Sequence, residues 1–361
     1  MVGEPPVEIA WFSALCDDDY EYLGVPEERF RSSFNHCLEI TRRAEAGDFD
    51  NILLPSGYTL GIDGTAFAAG VAATLRRLPL LLAVRCGEMW PPQLARQLAT
   101  LDEMLDGRLT VNIISSDVPG APLESEPRYR RTVEVMQLLR RWMGGEAGRF
   151  DGEFFSLDIE PPGINSRRRR CPPFYFGGLS EAARNAAAEE ADVFLLWPDT
   201  VDGLGQILSD MRQRAARYDR ELRFGFRVHV IVRETEDEAR AAARRLLSRL
   251  DDPVGDEIRR RSLDHASQGV RRQAELRDGA DSEGYAEPNL FTGIGRARSG
   301  CGAALVGNPD QVLAKIREYR ALGIESFILS GYPHADECDR VARYILPEID
   351  HAPLYVDKPS A

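Results

Sequence analysis

The chain is 361 residues long and 43% hydrophobic, enough for a sizeable core and incompatible with global disorder. Its net charge of −13 argues against a nucleic-acid coat or an anionic membrane surface as the main partner, while leaving room for a local basic pocket that holds a small anion. The six cysteines are widely spread with no CxxC pair, no basic-then-apolar leader opens the chain, and no apolar run reaches the length of a membrane span, so reduced thiols in a soluble cytoplasmic protein are expected.

Short apolar runs alternate with amphipathic ones from the start. Val7 to Phe12 reads as a strand and Phe30 to Ala46 as a helix, with apolar spacing through Phe34, Cys37, Leu38 and Ile40. Strands at Asn51 to Leu54, Leu80 to Val84 and Leu109 to Ile114 are each followed by a helix, at Thr65 to Leu75, Pro91 to Leu105 and Arg128 to Met143. The rhythm then breaks at Phe150 to Ile159, where DGEFFSLD reads as a hairpin, and at the basic loop Asn165 to Arg170, which is either a solvated connection or a dock for an acidic partner.

Strands resume at Pro173 to Phe176, Val193 to Leu196 and Phe224 to Val232, alternating with helices at Ser180 to Glu190, Leu204 to Tyr218 and Glu236 to Leu250. Asp251 to Gly300 is charged, poor in strand signals and too long for an ordinary connection, as lids and binding loops often are. The helix Asp310 to Leu322, the strand Ser326 to Leu329 and the helix Cys338 to Ile349 close the chain. Eight strands each followed by a helix favour an α/β fold of the (β/α)₈ TIM-barrel kind, one domain over 1–361 with insertions at about 144–172 and 251–300.

In such a barrel the working face lies at the carboxyl ends of the strands. The strand FGFRVHVIV, Phe224 to Val232, puts Arg227, His229 and Ile231 on one face and Val228, Val230 and Val232 on the other. A buried Arg and His need partners, supplied either by an anionic ligand or by nearby carboxylates and backbone. Other polar residues at strand ends are Cys16, Asp17, Ser56, Arg85, Ser115, Ser116 and Trp197. FGGLS, Phe176 to Ser180, is either a phosphate-holding helix start or a tight turn. SGYPH, Ser330 to His334, offers a phenol and an imidazole after the last strand, and Arg298 in GRARSG could close over them. No HExxH, Walker-type or GxSxG motif is present, so zinc peptidase, NTPase and serine hydrolase readings lack support.

These strings, with PPFYFGG, FLLW, PNLFTGIGRARSGCGAALVG and ALGIESFILSGYPH, resemble the flavin-dependent alkanesulfonate monooxygenases of the bacterial luciferase-like family from about Val7 to Ile349. The resemblance implies a two-component enzyme. Reduced FMN from a separate NAD(P)H-dependent reductase would react with O₂ to a flavin peroxide, and a sulfonate or similar small anion would be split to sulfite and an aldehyde. It implies an active-site set of Trp197, Arg227, His229, Arg298, Tyr332 and His334, an FMN phosphate near Ser115, Tyr129, Gly178 and Ser180, no metal, and a homodimer or homotetramer. Arg forks suit a sulfonate's oxygens, and a dry pocket protects a reactive intermediate from water. A deazaflavin-dependent hydride-transfer enzyme and a non-catalytic flavin carrier are the rival expectations.

The chain also departs from the family pattern. Cys16 stands at a histidine position, Tyr58 to Gly61 replace the residues after the second strand with Ile62 to Gly64 added, Ser115-Ser116 replace Thr-Gly, and Pro198-Asp199 replace Gly-Glu. These changes are expected to cluster on the first half of the rim, where a substrate tail or the flavin ring would be contacted.

Overall fold

Aliphatic and β-branched runs form short strands and the amphipathic runs between them form helices, several started by a side-chain cap. The computed structural model describes residues 5–355 apart from 59, 116–119, 121, 162, 165–170 and 262–266; Ser116 and the basic loop Asn165 to Arg170 lie outside the described residues. The first units are β1 (Glu8–Phe12), α1 (Phe34–Ala46), β2 (Asn51–Leu54), α2 (Gly64–Ala72), β3 (Leu80–Arg85), α3 (Pro91–Met104), β4 (Leu109–Ile114) and α4 (Ser125–Gly144). Helix α1 starts later than its periodicity suggests because Ser33 caps it, accepting from the His36 N–H. A hairpin, β5 (Gly148–Asp151) and β6 (Ser156–Ile159), forms a separate two-stranded sheet.

The series continues with β7 (Phe174–Gly177), α5 (Glu181–Glu190), β8 (Val193–Leu196), α6 (Val201–Ala216), β9 (Arg223–Val232) and α7 (Glu236–Leu247). The stretch expected to be poor in strands holds α8 (Asp252–Arg260), α9 (Gln268–Asp278), β10 (Tyr285–Glu287) and β11 (Leu290–Phe291). Then come β12 (Ala304–Gly307), α10 (Pro309–Ala321), β13 (Ser326–Ser330) and α11 (His334–Tyr344).

Parallel pairing runs β1-β2-β3-β4-β7-β8-β9-β13 and returns from β13 to β1, closing an eight-stranded (β/α)₈ barrel. Successive residues on each strand face opposite ways. Ile9, Trp11, Ile52, Leu54, Phe226 and Val228 pack outward under the helices, while Ala10, Phe12, Leu53, Leu81, Tyr175, Val193 and Ile328 fill the lumen. Each large side chain so buried contributes about 1.5–3 kcal/mol relative to exposure.

Strand β12, like β10 and β11, is not among the strands expected from the sequence, and it matters for the site. Strand β9 is ten residues long whereas its neighbour β8 is four, so β8 covers only Arg223 to Phe226. From His229 onward the same edge of β9 pairs with β12, and the His229 N–H donates to the Ala303 carbonyl at 3.1 Å. Between the two partners the Arg227 carbonyl accepts from the Cys301 thiol at 3.3 Å. The barrel wall thus parts at Arg227.

The opposite end of the lumen is sealed. The buried Glu8 carboxylate accepts from Tyr175 Oη (3.0 Å), Ser326 Oγ (2.7 Å) and the Leu354 N–H (3.2 Å) of the C-terminal segment. Among the described residues no helix is long and apolar enough to cross a membrane.

Candidate active site

A cavity of about 900 Å³ opens at the carboxyl ends of the strands, in the size range of sites that take a small organic ligand. Arg227, on the lumen face of β9, lies over the Phe12 ring at 4.2 Å, and Arg298 approaches the same ring at 5.5 Å. Trp197, Arg227 and Arg298 all line this cavity. The indole of Trp197 is held by two glycines, since a Cβ at Gly269 would come within 2.8 Å of it and one at Gly300 within 3.2 Å. Only glycine lets α9 and the following loop close on that ring.

His229, Tyr332 and His334 stand directly behind this wall and do not line the cavity. The His229 ring stacks on Tyr332 at 5.1 Å between centroids, and Tyr332 meets His334 edge-on at 5.1 Å. Ser330 Oγ holds His229 Nδ1 at 2.7 Å. Burial, together with the charges of Arg227, Arg298 and His334, pushes the His229 imidazolium well below its ordinary range, so this side chain is neutral at physiological pH. Burial likewise raises the Tyr332 phenol, which keeps its proton.

Nearby protein groups partner part of the buried Arg and His set. Burial opposes the Arg298 charge, but Arg298 pairs with the Asp18 carboxylate, and its pKa is raised. Among the described residues no carboxylate pairs with Arg227. Its Nη1 donates to the Val228 carbonyl at 3.1 Å, while its Nη2 finds no hydrogen-bond partner among the described residues. The same holds for Arg298 Nε, His229 Nε2, Tyr332 Oη and His334 Nε2. Five buried polar atoms so clustered are costly unless a polar ligand or solvent meets them.

The four residues expected at a phosphate form a second group, none of them lining the cavity above. Ser180 caps α5, accepting from the Ala183 N–H at 3.2 Å, and Tyr129 Oη lies 3.5 Å from where a Gly178 Cβ would stand. Gly178 has φ +157, and its missing Cβ would strike Ala183 at 2.6 Å. Thr132 Oγ1 donates to Ser115 Oγ at 2.8 Å one turn along α4 from Tyr129. A hydroxyl, a phenol and a helix N-terminus beside a glycine make a cradle that fits a phosphate ester. Among the described residues no group of three His, Cys, Asp or Glu is placed to hold a metal ion.

A family model for luciferase-like monooxygenases matches residues 8–326. The chain belongs to the luciferase-like monooxygenase family. It is 61% identical to a sulfoquinovose monooxygenase of Novosphingobium aromaticivorans, covering 98% of this chain and 100% of that one. It is 49% identical to a sulfoquinovose monooxygenase of Agrobacterium fabrum, over 95% of this chain and 89% of that one. Among solved structures a riboflavin lyase superposes with a TM-score of 0.80 at 15% identity, covering 98% of this chain and 94% of that one. A long-chain alkane monooxygenase gives 0.79 at 18% identity, covering 99% and 94% respectively. At these identities the two structures speak to the fold, and the family with its close relatives makes this chain a flavin-dependent monooxygenase.

The departures from the luciferase-like pattern fall in three places rather than one, Ser115 being the one in the phosphate group above. Cys16 and the segment after β2 do pack together, since the Ile62 N–H donates to the Leu15 carbonyl (3.0 Å) and the Gly61 N–H to Asp17 Oδ2 (3.2 Å). Gly61 has φ +78 and touches the Leu15 backbone so closely that any side chain would be excluded. Desolvation pushes the Cys16 thiol up to about 12, so it is a neutral group in the wall. Pro198 and Asp199, by contrast, serve as anchors for the insertion. Buried Asp199 takes a two-pronged contact from Arg272 of α9 (2.7 and 2.8 Å), and the Pro198 carbonyl accepts from Gln273 (2.6 Å). Gln273 in turn accepts from the Gly302 N–H at 3.1 Å, tying α9 to the segment that carries Arg298 and Cys301.

Sequence reasoning missed Phe12, Asp18, Asp19, His36, Asn112 and Cys301. The run of three aspartates after β1 was a usable signal, because carboxylates beside a buried basic strand are its natural counterions.

Proposed function

We propose that this enzyme is the oxygenating component of a two-component system that takes reduced FMN from a separate NAD(P)H-dependent reductase and cleaves the C–S bond of a sulfonated sugar, sulfoquinovose or a close analogue. The observation that carries the reading is the 61% identity, over essentially the full length of both chains, to an enzyme named for that substrate. Bound reduced flavin supplies the two electrons that activate O₂; one oxygen atom ends in the aldehyde and the other in water, and sulfite leaves. The group fits here: Tyr129, Gly178, Ser180 and Ser115 would hold its phosphate, and the unpartnered Arg227 Nη2 and Arg298 Nε, on residues that line the cavity, suit an anionic reaction centre.

The chain's own residues supply the rest. Arg227, with a free Nη2 in a buried setting, binds sulfonate oxygens through charge-assisted hydrogen bonds. Arg298 adds a second cation whose charge is shared with Asp18. His229, on a ring neutral at physiological pH and fixed by Ser330 through Nδ1, stands one layer behind the cavity wall and backs the Tyr332 ring from there. Trp197 and the anchored insertion keep water out. On the opposite wall Asn112, Arg85 and Ser56 face the cavity with polar groups, which favours a polyhydroxylated tail over a plain alkyl one.

A coupled assay with a flavin reductase tests the reading on sulfoquinovose and on alkanesulfonates of graded length, scored by sulfite release. Sulfite from the sulfo-sugar well above that from the simple chains is expected. Oxygen uptake without sulfite from any sulfonate would overturn it.

A further inference from the structure

Behind the site, two imidazoles share one buried carboxylate. Asp19 Oδ1 accepts from the His334 N–H at 2.9 Å and from His334 Nδ1 at 3.0 Å, while its Oδ2 faces His36 Nε2 at 2.9 Å. An ionised carboxylate can only accept, so both of these ring nitrogens carry hydrogens. His334 is therefore left with Nε2, beside the rings of Phe12 and Tyr332, as the nitrogen that can take or give a proton. His36 has a different outlook. Its side chain is 14% exposed and lines a second cavity, of about 780 Å³, on the outer side of the barrel.

We infer that His36 is a positioning residue that sets the protonation of His334 through Asp19, because one carboxylate compensates one imidazolium and not two. A proton taken up by His36 from the outer groove draws on the same negative charge that stabilises a proton on His334, and the two titrations oppose each other. Capping of α11 by Asp19 through the His334 N–H accounts for the carboxylate alone. It gives no reason for a second imidazole on the other oxygen.

The surrounding charges leave this coupling in place. On the cavity side His334 faces Tyr332 and His229, with Arg227 and Arg298 over Phe12 and Asp18 closed onto Arg298. In the outer groove the charges form mixed-sign clusters: Glu21 with Arg29 and Arg245, Arg43 with Glu39, Asp336 and Asp339, and Glu337 with Arg233 and Arg340. Clusters of both signs offset part of their own field at His36, and Asp19, at 2.9 Å from the ring nitrogen, acts on it directly. Burial alone would raise the Asp19 carboxyl, but His334 and His36 hold it well below the usual range, so it stays anionic while imidazoles titrate.

The inference rests on the reading of His334 as part of the site, and its deciding readout is taken without flavin. With five histidines in the chain, a ¹⁵N-histidine-labelled sample of the full protein can be assigned and titrated by NMR. His36→Gln keeps a neutral donor for Asp19 and removes the competing charge. The His334 midpoint should then rise by about one pKa unit, and the matching limb of the pH profile of turnover should move the same way. Asp19→Asn should lower the midpoint instead, and where that variant unfolds His36→Gln decides alone. An identical His334 midpoint in wild type and His36→Gln, or a His334 that keeps one protonation state across the stable range in both, overturns the coupling. Lack of sulfite release by the wild type would strike the substrate reading and leave the coupling standing.

Discussion

The two walls of the cavity are built on opposite plans. On the β9 and β13 side, Arg227 is 5% exposed and His229 fully buried, and their places are set by β-ladder register and by rings stacked behind them. On the β1 and β2 side, Tyr58 is 50% and Leu60 37% exposed, on a loop braced by hydrogen bonds to the Leu15 carbonyl and the Asp17 carboxylate. A group held by register and burial can aim charge at a reacting centre without reorganising, whereas an exposed loop can change its side chains at little cost in stability. The first wall is thus suited to chemistry common to many substrates, and the second to distinguishing among them.

The sharpest way to break this division is Arg227→Ala. Loss of a buried, preorganised cation should lower kcat/KM for sulfite release by about 10²–10³-fold, and Arg227→Lys should recover only part because an ammonium lacks the planar fork. A variant within a few-fold of wild type would remove Arg227 from the chemistry. Arg298→Ala should cost less, about 10–100-fold, because Asp18 already shares that charge. It also strands the Asp18 carboxylate, so adding Asp18→Asn should restore melting temperature while leaving turnover low. Recovery of both together would make the pair a purely structural tie.

His229 sharpens the same comparison through pH. The native state holds this imidazole neutral, while the unfolded chain takes up a proton below about pH 6.5. Stability should therefore fall as pH drops through that value, by about 1.4 kcal/mol per pH unit from this group alone. In urea unfolding at pH 5.5 and 7.5, His229→Asn should lose less stability on acidification than wild type. Equal losses would mean that the ring is protonated in the folded state.

How much of this could be read from the chain follows the same divide. Alternation in FGFRVHVIV placed Arg227 and His229 on one face because a strand's period is independent of its neighbours, and eight apolar runs sufficed for the barrel. Strand β12 escaped because Ala304 to Gly307 is four small or aliphatic residues between glycines, and it is a strand only since β8 ends early and leaves an edge of β9 to be paired. Asp199 was misplaced for a related reason. Its position in sequence is the rim, but its partner, Arg272, is 73 residues away, and that pairing turns a rim carboxylate into an anchor. Asp19 and His36 gave no periodic signal, since the bond between them joins a loop to a helix.

The smallest effect is expected on the exposed wall, and it is the one that tests what that wall is for. Tyr58 lines the cavity from a loop whose shape is fixed by Gly61 and Asp17, neither of which Tyr58 supports. Tyr58→Ala should therefore leave the fold and kcat near wild type and raise KM for the preferred sulfonate by about threefold, since half-exposed contacts contribute little and act equally on ground and transition states. Its effect should appear more clearly in preference, narrowing the gap in kcat/KM between a sulfo-sugar and an alkanesulfonate of similar length. If kcat itself fell as steeply as in Arg227→Ala, the exposed loop would belong to the reaction centre and the division between the walls would not hold.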